Sequence, residues 1–170
     1  MRKFALIAAI ALTASVALSA CGNKSADEDQ AATAQAATQQ ATKPTDPNDT
    51  QAWNAYLGQI VQANMQGMKA DRPYPYLVTA GDSEDDVARR DRQLQNVQDT
   101  VARGVLPGNM LVFAGPDSTK TADLIIEAFK GADAGSFKDV IILFIGDQAD
   151  EQRVKDVLNP TGADVRFVAM

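Results

Sequence analysis

Residues 140–147 read VIILFIGD, and this stretch decides the fold class. Residues 140–145 are apolar without interruption, so a strand built from them has no polar face. That pattern is typical of a central strand in a parallel sheet covered on both sides. Gly146 and Asp147 then predict a turn into a helix. We therefore expect an α/β domain with mostly parallel strands.

The same order of strand, glycine and aspartate occurs twice more. Residues 76–80 (YLVTA) precede Gly81 and Asp82, and residues 110–114 (MLVFA) precede a turn that contains Asp117. A last strand is expected at 164–169, and apolar residues at helical spacing predict helices at about 83–103, 118–130 and 148–158.

Alternating strands and helices predict a small three-layer domain with about four mostly parallel strands and right-handed crossovers. We expect the second and third strands to pair. The strand that follows Pro75 suits a sheet edge, because proline lacks a backbone donor. The last strand also suits a position near an edge.

The folded domain is predicted to span residues 50–170 and to begin with a helix at about 51–68. Asp49 or Thr50 suits its N-cap. Bulky residues return here at helical spacing: Trp53, Leu57, Ile60, Val61, Met65 and Met68. A stripe of this kind is typical of a core-facing helix.

Residues 22–49 contain no large apolar residue and are rich in alanine, glutamine and threonine. Such a segment has nothing to bury that would offset the entropy of ordering. Pro44 and Pro47 also interrupt any helix. We expect a flexible tether, with a random-coil span of roughly 30 Å.

The N-terminal residues 1–20 have the form of a secretory signal. Arg2 and Lys3 provide a positive head, and an apolar segment too short for a typical membrane span follows. It ends in Leu18-Ser19-Ala20-Cys21, and Cys21 is the only cysteine of the chain. A plain secreted protein with an incidental cysteine is the alternative.

Leu18-Ser19-Ala20-Cys21 resembles the lipobox of bacterial lipoproteins. The resemblance implies cleavage before Cys21 and fatty acylation of this residue, with residues 21–49 as the acylated tether. Gly22, rather than aspartate, follows the cysteine. In that family this implies sorting to the outer membrane, with the domain in the periplasm. The expected membrane contact is therefore the lipid on Cys21.

Composition excludes several classes of function. The chain has 16 basic and 22 acidic residues, and loss of Arg2 and Lys3 with the signal would change the net charge from −6 to −8. This charge argues against nucleic acid as a partner. The chain has no histidine. Histidine-dependent nucleophiles, histidine-ligated zinc and imidazole acid–base catalysis are therefore excluded.

Asp82, Asp117 and Asp147 each follow a predicted parallel strand. The carboxyl edge of such a sheet is where ligands tend to bind. Three converging carboxylates could hold Mg²⁺ or Ca²⁺, and a ligand-binding or hydrolytic domain is the alternative function. Helix capping by aspartate explains the same residues without any metal, and it is the interpretation that we favour.

Tyr74 and Tyr76 alternate with prolines in residues 72–76 (RPYPY). The segment suits either a protein contact or a connector packed over the N-terminal helix. We expect a non-enzymatic interaction domain with a protein partner in the cell envelope. We expect no cofactor and no catalytic residues, because the motifs show no catalytic set.

Overall fold

The structure is a computed structural model and describes residues 42–170. The predicted signal segment, Cys21 and the first part of the predicted tether lie outside the described residues. No helix within residues 42–170 combines the length and apolar character that a membrane crossing needs.

The described chain forms an α/β domain with one parallel sheet. The strand order is β1-β2-β3-β4, and all neighbouring pairs are parallel. The predicted fold class and the predicted pairing of the second and third strands are confirmed. The elements are α1 (Thr50–Ala63), β1 (Tyr74–Leu77), α2 (Glu84–Arg103), β2 (Met110–Ala114), α3 (Ser118–Phe129), β3 (Ile141–Gly146), α4 (Gln148–Leu158), a 3-10 turn (Asn159–Thr161) and β4 (Asp164–Ala169).

The sequential strand order places the three crossover helices in one layer. Because right-handed crossovers between successive neighbours all pass over the same face, α2, α3 and α4 cover one side of the sheet. Val97 of α2, Ile125 of α3 and Leu158 of α4 are fully buried in a common core with alternate strand residues such as Phe113. We call this side the three-helix face.

On the opposite side of the sheet, α1 is the only helix among residues 42–170, and we call this side the α1 face. Trp53, Tyr56, Leu57 and Val61 of α1 are buried with the other alternate residues of β2 and β3. The apolar strands therefore have two covered faces, which is why residues 141–145 tolerate no polar side chain.

The structure differs from the sequence-based expectation at β1. The strand begins at Tyr74 rather than at residue 76 and includes Pro75. The N–H of Val78 donates to the carbonyl of Ala114 on β2 at 2.8 Å. Because backbone groups alternate in direction along a strand, Tyr74 and Tyr76 also direct theirs toward β2, whereas Pro75 directs its own away from β2. Its missing N–H therefore faces the free edge, where no ladder partner needs it.

Helix α1 ends five residues earlier than the predicted boundary at 68. Asn64 is the C-cap, and its side-chain amide donates to the carbonyl of Ile60 at 2.8 Å. The carbonyl of Asn64 also accepts from the Arg166 guanidinium on β4. Met65 and Met68 still pack against the α1-face core after the helix has ended. The apolar spacing therefore continued beyond the helical backbone.

Candidate functional site

The parallel sheet brings Asp82, Asp117 and Asp147 to its carboxyl edge, but a lysine lies between two of them. Lys120 Nζ is 2.7 Å from Asp82 Oδ1 and 3.7 Å from Asp117 Oδ2. Lys120 also donates to the carbonyl of Ala80, and Arg90 lies 3.7 Å from the same oxygen of Asp82. An ammonium group therefore occupies the position that a shared cation would take.

Capping accounts for only one of the three aspartates. Asp117 accepts from the backbone N–H of Lys120 at 2.9 Å and caps α3. Ser83, not Asp82, caps α2, and Asp147 precedes α4 without a side-chain capping bond. Within residues 42–170, no group of three or more acidic or cysteine side chains is arranged to hold a metal ion.

The electrostatics of this edge favour a fixed ion pair over acid–base chemistry. The hydrogen bond and charge of Lys120, with a smaller effect from Arg90, lower the pKa of Asp82 below its ordinary value. A carboxyl held in its ionised form by a lysine is a poor proton donor at neutral pH. The Asp82 side chain is 81% exposed, so solvent also screens the pair.

A second polar cluster joins α3 and α4 beneath the surface. The Ser118 hydroxyl donates to Asp150 at 2.5 Å and accepts from the Asp147 N–H at 2.7 Å. Arg153 bridges Asp150 and Asp123 at 2.7 and 2.5 Å. Because Ser118 and Asp150 are only 3% and 7% exposed, a substrate has no access to this hydroxyl. The cluster holds two helices together.

The two predicted contact tyrosines lie side by side on β1 but have different surroundings. Tyr74 is 51% exposed. Tyr76 stacks on Phe113 with a centroid distance of 5.0 Å and joins the core of the three-helix face. Tyr76 therefore packs on the side of the sheet opposite α1, and not over the N-terminal helix as the sequence suggested. Only Tyr74 presents a large aromatic surface to solvent.

An apolar groove lies between α1 and β1, and we call it the α1–β1 groove. A helix is about 10 Å across, whereas four strands span about 14 Å between their outer axes. Helix α1 lies over the central strands, and Arg166 ties its end to β4. The sheet on the β1 side is therefore left partly uncovered.

The groove has a volume of about 420 Å³ and an almost entirely apolar lining. This volume lies within the range of ordinary ligand pockets, about 300–1,000 Å³. The opposite wall and the floor consist of Pro73, Pro75, Tyr76, Leu77, Val112 and Ala114. All its lining residues belong to the described chain, and none of them carries a charge. Asn54 and Gln62 supply its only side-chain amides.

Gly58 lies in the middle of α1 and lines the groove. A methyl group placed on it would meet no atom of residues 42–170 within 4 Å, so no packing contact in this part of the chain requires glycine here. Gly146 is the opposite case, because a Cβ there would lie 2.7 Å from Ser118 Oγ and closer still to the Phe144 ring. The absent side chain at Gly58 leaves the groove open down to the helix backbone.

The groove was not predicted from the sequence, although one residue pointed to it. Gly58 lies inside the predicted helix, between Leu57 and Val61, which belong to its regular apolar stripe. The groove also depends on the strand order, because this order places all three crossover helices on one face of the sheet. Crossover helices on both faces would have covered the side where the groove lies. The strand order could not be predicted from the sequence.

A comparison of the chain with models of protein families, with curated proteins and with solved structures found no match in any of the three. The candidate site therefore rests on the geometry of the described residues alone.

Proposed function

We propose that this protein is a lipoprotein of the bacterial cell envelope that is anchored through a lipid on Cys21. Its α/β domain acts by binding rather than by catalysis, and the α1–β1 groove is its binding surface. The anchored location on the outer membrane, with the domain in the periplasm, belongs to the same proposal and is supported by the lipobox-like residues 18–21.

The single observation that carries the binding role is the open, uncharged groove beside Gly58. Large apolar pockets with a few polar groups at the margin are the usual form of a binding site. The polar clusters of the domain are engaged in bonds of their own, since Lys120 pairs with Asp82 and Ser118 is buried against Asp150. They support the fold and offer no open reacting group.

The anchor is tested by Cys21→Ser in cells of the source bacterium. We expect the variant to lose incorporation of a labelled fatty acid and to leave the membrane fraction or remain unprocessed. Correct processing with unchanged membrane association would contradict the anchor, and the domain would then be a secreted protein with an incidental cysteine.

The binding surface is tested by photocrosslinking in intact cells. A photoreactive residue replaces Gln62 in the groove or Gln152 on the exposed side of α4. We expect a defined adduct from position 62 that disappears when Gly58→Leu is added, and none from position 152. Equal adducts from both positions would contradict a role for the groove.

A further inference from the structure

We propose that the α1–β1 groove binds a single acyl chain of an envelope lipid. This inference rests on the proposed function, since it identifies the occupant of the groove already assigned to binding. Four features of the described residues and of the chain before them point to this class of ligand.

The first feature is the chemistry of the lining. The lining consists mostly of aliphatic side chains and prolines, together with Met65 and Tyr76, and it contains no charged group. Asn54 and Gln62 are exposed, so their amides stay in contact with water. Because a polar or charged group buried here would lose its hydration without a partner, the occupant must be apolar along the part that enters.

The second feature is the edge of β1, which offers few backbone groups to an added strand. Pro75 has no N–H, and the carbonyl of Leu77 already accepts from the Gln93 side chain of α2 at 3.2 Å. A peptide lying along this wall would bury most of its own backbone donors and acceptors without partners. An acyl chain has no such groups.

The third feature is Gly58. Glycine weakens a helix relative to alanine, and packing among the described residues gives no reason for it at this position. A slender chain that lies against the helix backbone does give a reason, because any larger side chain would fill the space. The groove thus suits a ligand about as thin as a methylene chain.

The fourth feature is the length of chain before the domain. Residues 22–41 separate Cys21 from the described residues, and a coil of that length spans about 25 Å. An anchored domain is therefore confined close to the bilayer surface. Acyl lipids are then the apolar molecules present at the highest local concentration.

The test uses the mature chain, residues 21–170, with Cys21→Ser, so that it carries no lipid of its own. Lysophosphatidylcholines with chains of increasing length are titrated below their micelle concentrations by calorimetry. We expect the affinity to rise about fourfold per added methylene until the groove is full and then to level off. Affinity that does not depend on chain length would overturn the proposal.

Three variants of the same chain separate occupancy of the groove from folding. We expect Gly58→Leu to weaken binding by more than about tenfold. Gly58→Ala places one methyl group in the same space and should weaken binding by a smaller factor, about threefold. Gln59→Leu, at an exposed position of α1 outside the groove, should leave the affinity unchanged. Thermal melting must show that Gly58→Leu is at least as stable as the parent. Full binding by a folded Gly58→Leu would overturn the proposal.

The remaining outcomes identify other occupants. If no lysolipid binds but the crosslink from position 62 captures a protein in cells, the acyl inference fails while the proposed function stands. If the acylated protein binds lysolipid more than about tenfold more weakly than its Cys21→Ser form, its own lipid fills the groove and an envelope lipid is overturned as the occupant. If Cys21→Ser leaves the location unchanged, the anchor fails independently of the titration.

Discussion

The two faces of the sheet are built from the same strands, but helices cover them to different extents. The three-helix face is sealed by helices that the crossovers bring with them, and aromatic contacts such as Phe113 on Phe129 at 6.1 Å fill it. The α1 face depends on one separate helix of 14 residues. It is left with an open apolar groove beside β1. One face is thus covered by three helices, and the other keeps an open apolar surface that we propose as a binding site.

The largest expected loss of stability is that of a core residue of the three-helix face, compared with a residue of the α1 face. Phe113 is completely buried, so Phe113→Ala should lower the free energy of unfolding by about 3–5 kcal/mol. Leu77 borders the groove and is half-buried, so Leu77→Ala should cost less than about 2 kcal/mol. Urea unfolding followed by circular dichroism measures both, and equal losses would remove the distinction between the faces.

The next largest loss of stability is expected at the polar cluster that joins α3 and α4 on the three-helix face. Asp150→Ala leaves the buried Ser118 hydroxyl without its acceptor, so the free energy of unfolding should fall by about 1–3 kcal/mol. The matched control on the same helix is Asp156→Ala, which is exposed and should change stability by less than about 0.5 kcal/mol. A loss at Asp150 no larger than that of the control would mean that the cluster does not stabilise the layer.

A smaller effect of opposite sign is expected on the α1 face. Gly58→Ala adds a methyl group into open space and improves the helix propensity of α1. The free energy of unfolding should rise by about 0.5–1 kcal/mol. The measurement is again urea unfolding, with an unchanged denaturant slope as its control. A destabilised variant would show that glycine is needed for packing, and the reason given for the open groove would be lost.

The smallest effect concerns the Asp82–Lys120 pair at the carboxyl edge. The pKa of Asp82 is lowered by Lys120, so the pair stabilises the fold above the ordinary aspartate pKa of 3.8. This contribution is lost as the pH falls through the lower folded-state pKa. Asp82→Asn should therefore melt below the parent at neutral pH, and the gap should close in strong acid.

Thermal melting across pH measures this gap, and high salt should narrow it at neutral pH because the pair is exposed. A gap that widens as the pH falls would contradict the assigned ion pair. A rise in the melting temperature of the parent protein with added Mg²⁺ or Ca²⁺, absent from Asp82→Asn, would instead support the metal alternative at this edge.

The sequence predicted most of the fold because its strongest signals are local. The unbroken apolar run at 140–145, and the glycine and aspartate that follow the first three strands, required only neighbouring residues to interpret. β2 begins and ends where it was predicted, at Met110 and Ala114. The start of β1 was predicted too late, because Pro75 was expected to precede the strand. At the free edge its missing N–H costs no ladder bond, so the strand includes it.

The candidate sites were less predictable because they depend on contacts distant in sequence. Lys120 meets Asp82 across 38 positions, and nothing near either residue marks the pair. The groove requires both the strand order and the position of α1 over the sheet. Gly58 was visible in the sequence, but its meaning depends on the empty space that only the fold reveals.

The most direct test of the account is methyl NMR of the mature Cys21→Ser protein, titrated with the lipid and protein fractions of the source cell envelope. Methyl groups on the two faces of the sheet are compared in one spectrum. The account predicts shifts confined to Leu57, Val61, Leu77 and Val112 around the groove. It is contradicted if neither fraction moves these signals, or if the methyl groups of Leu124 and Leu158 on the three-helix face respond as strongly.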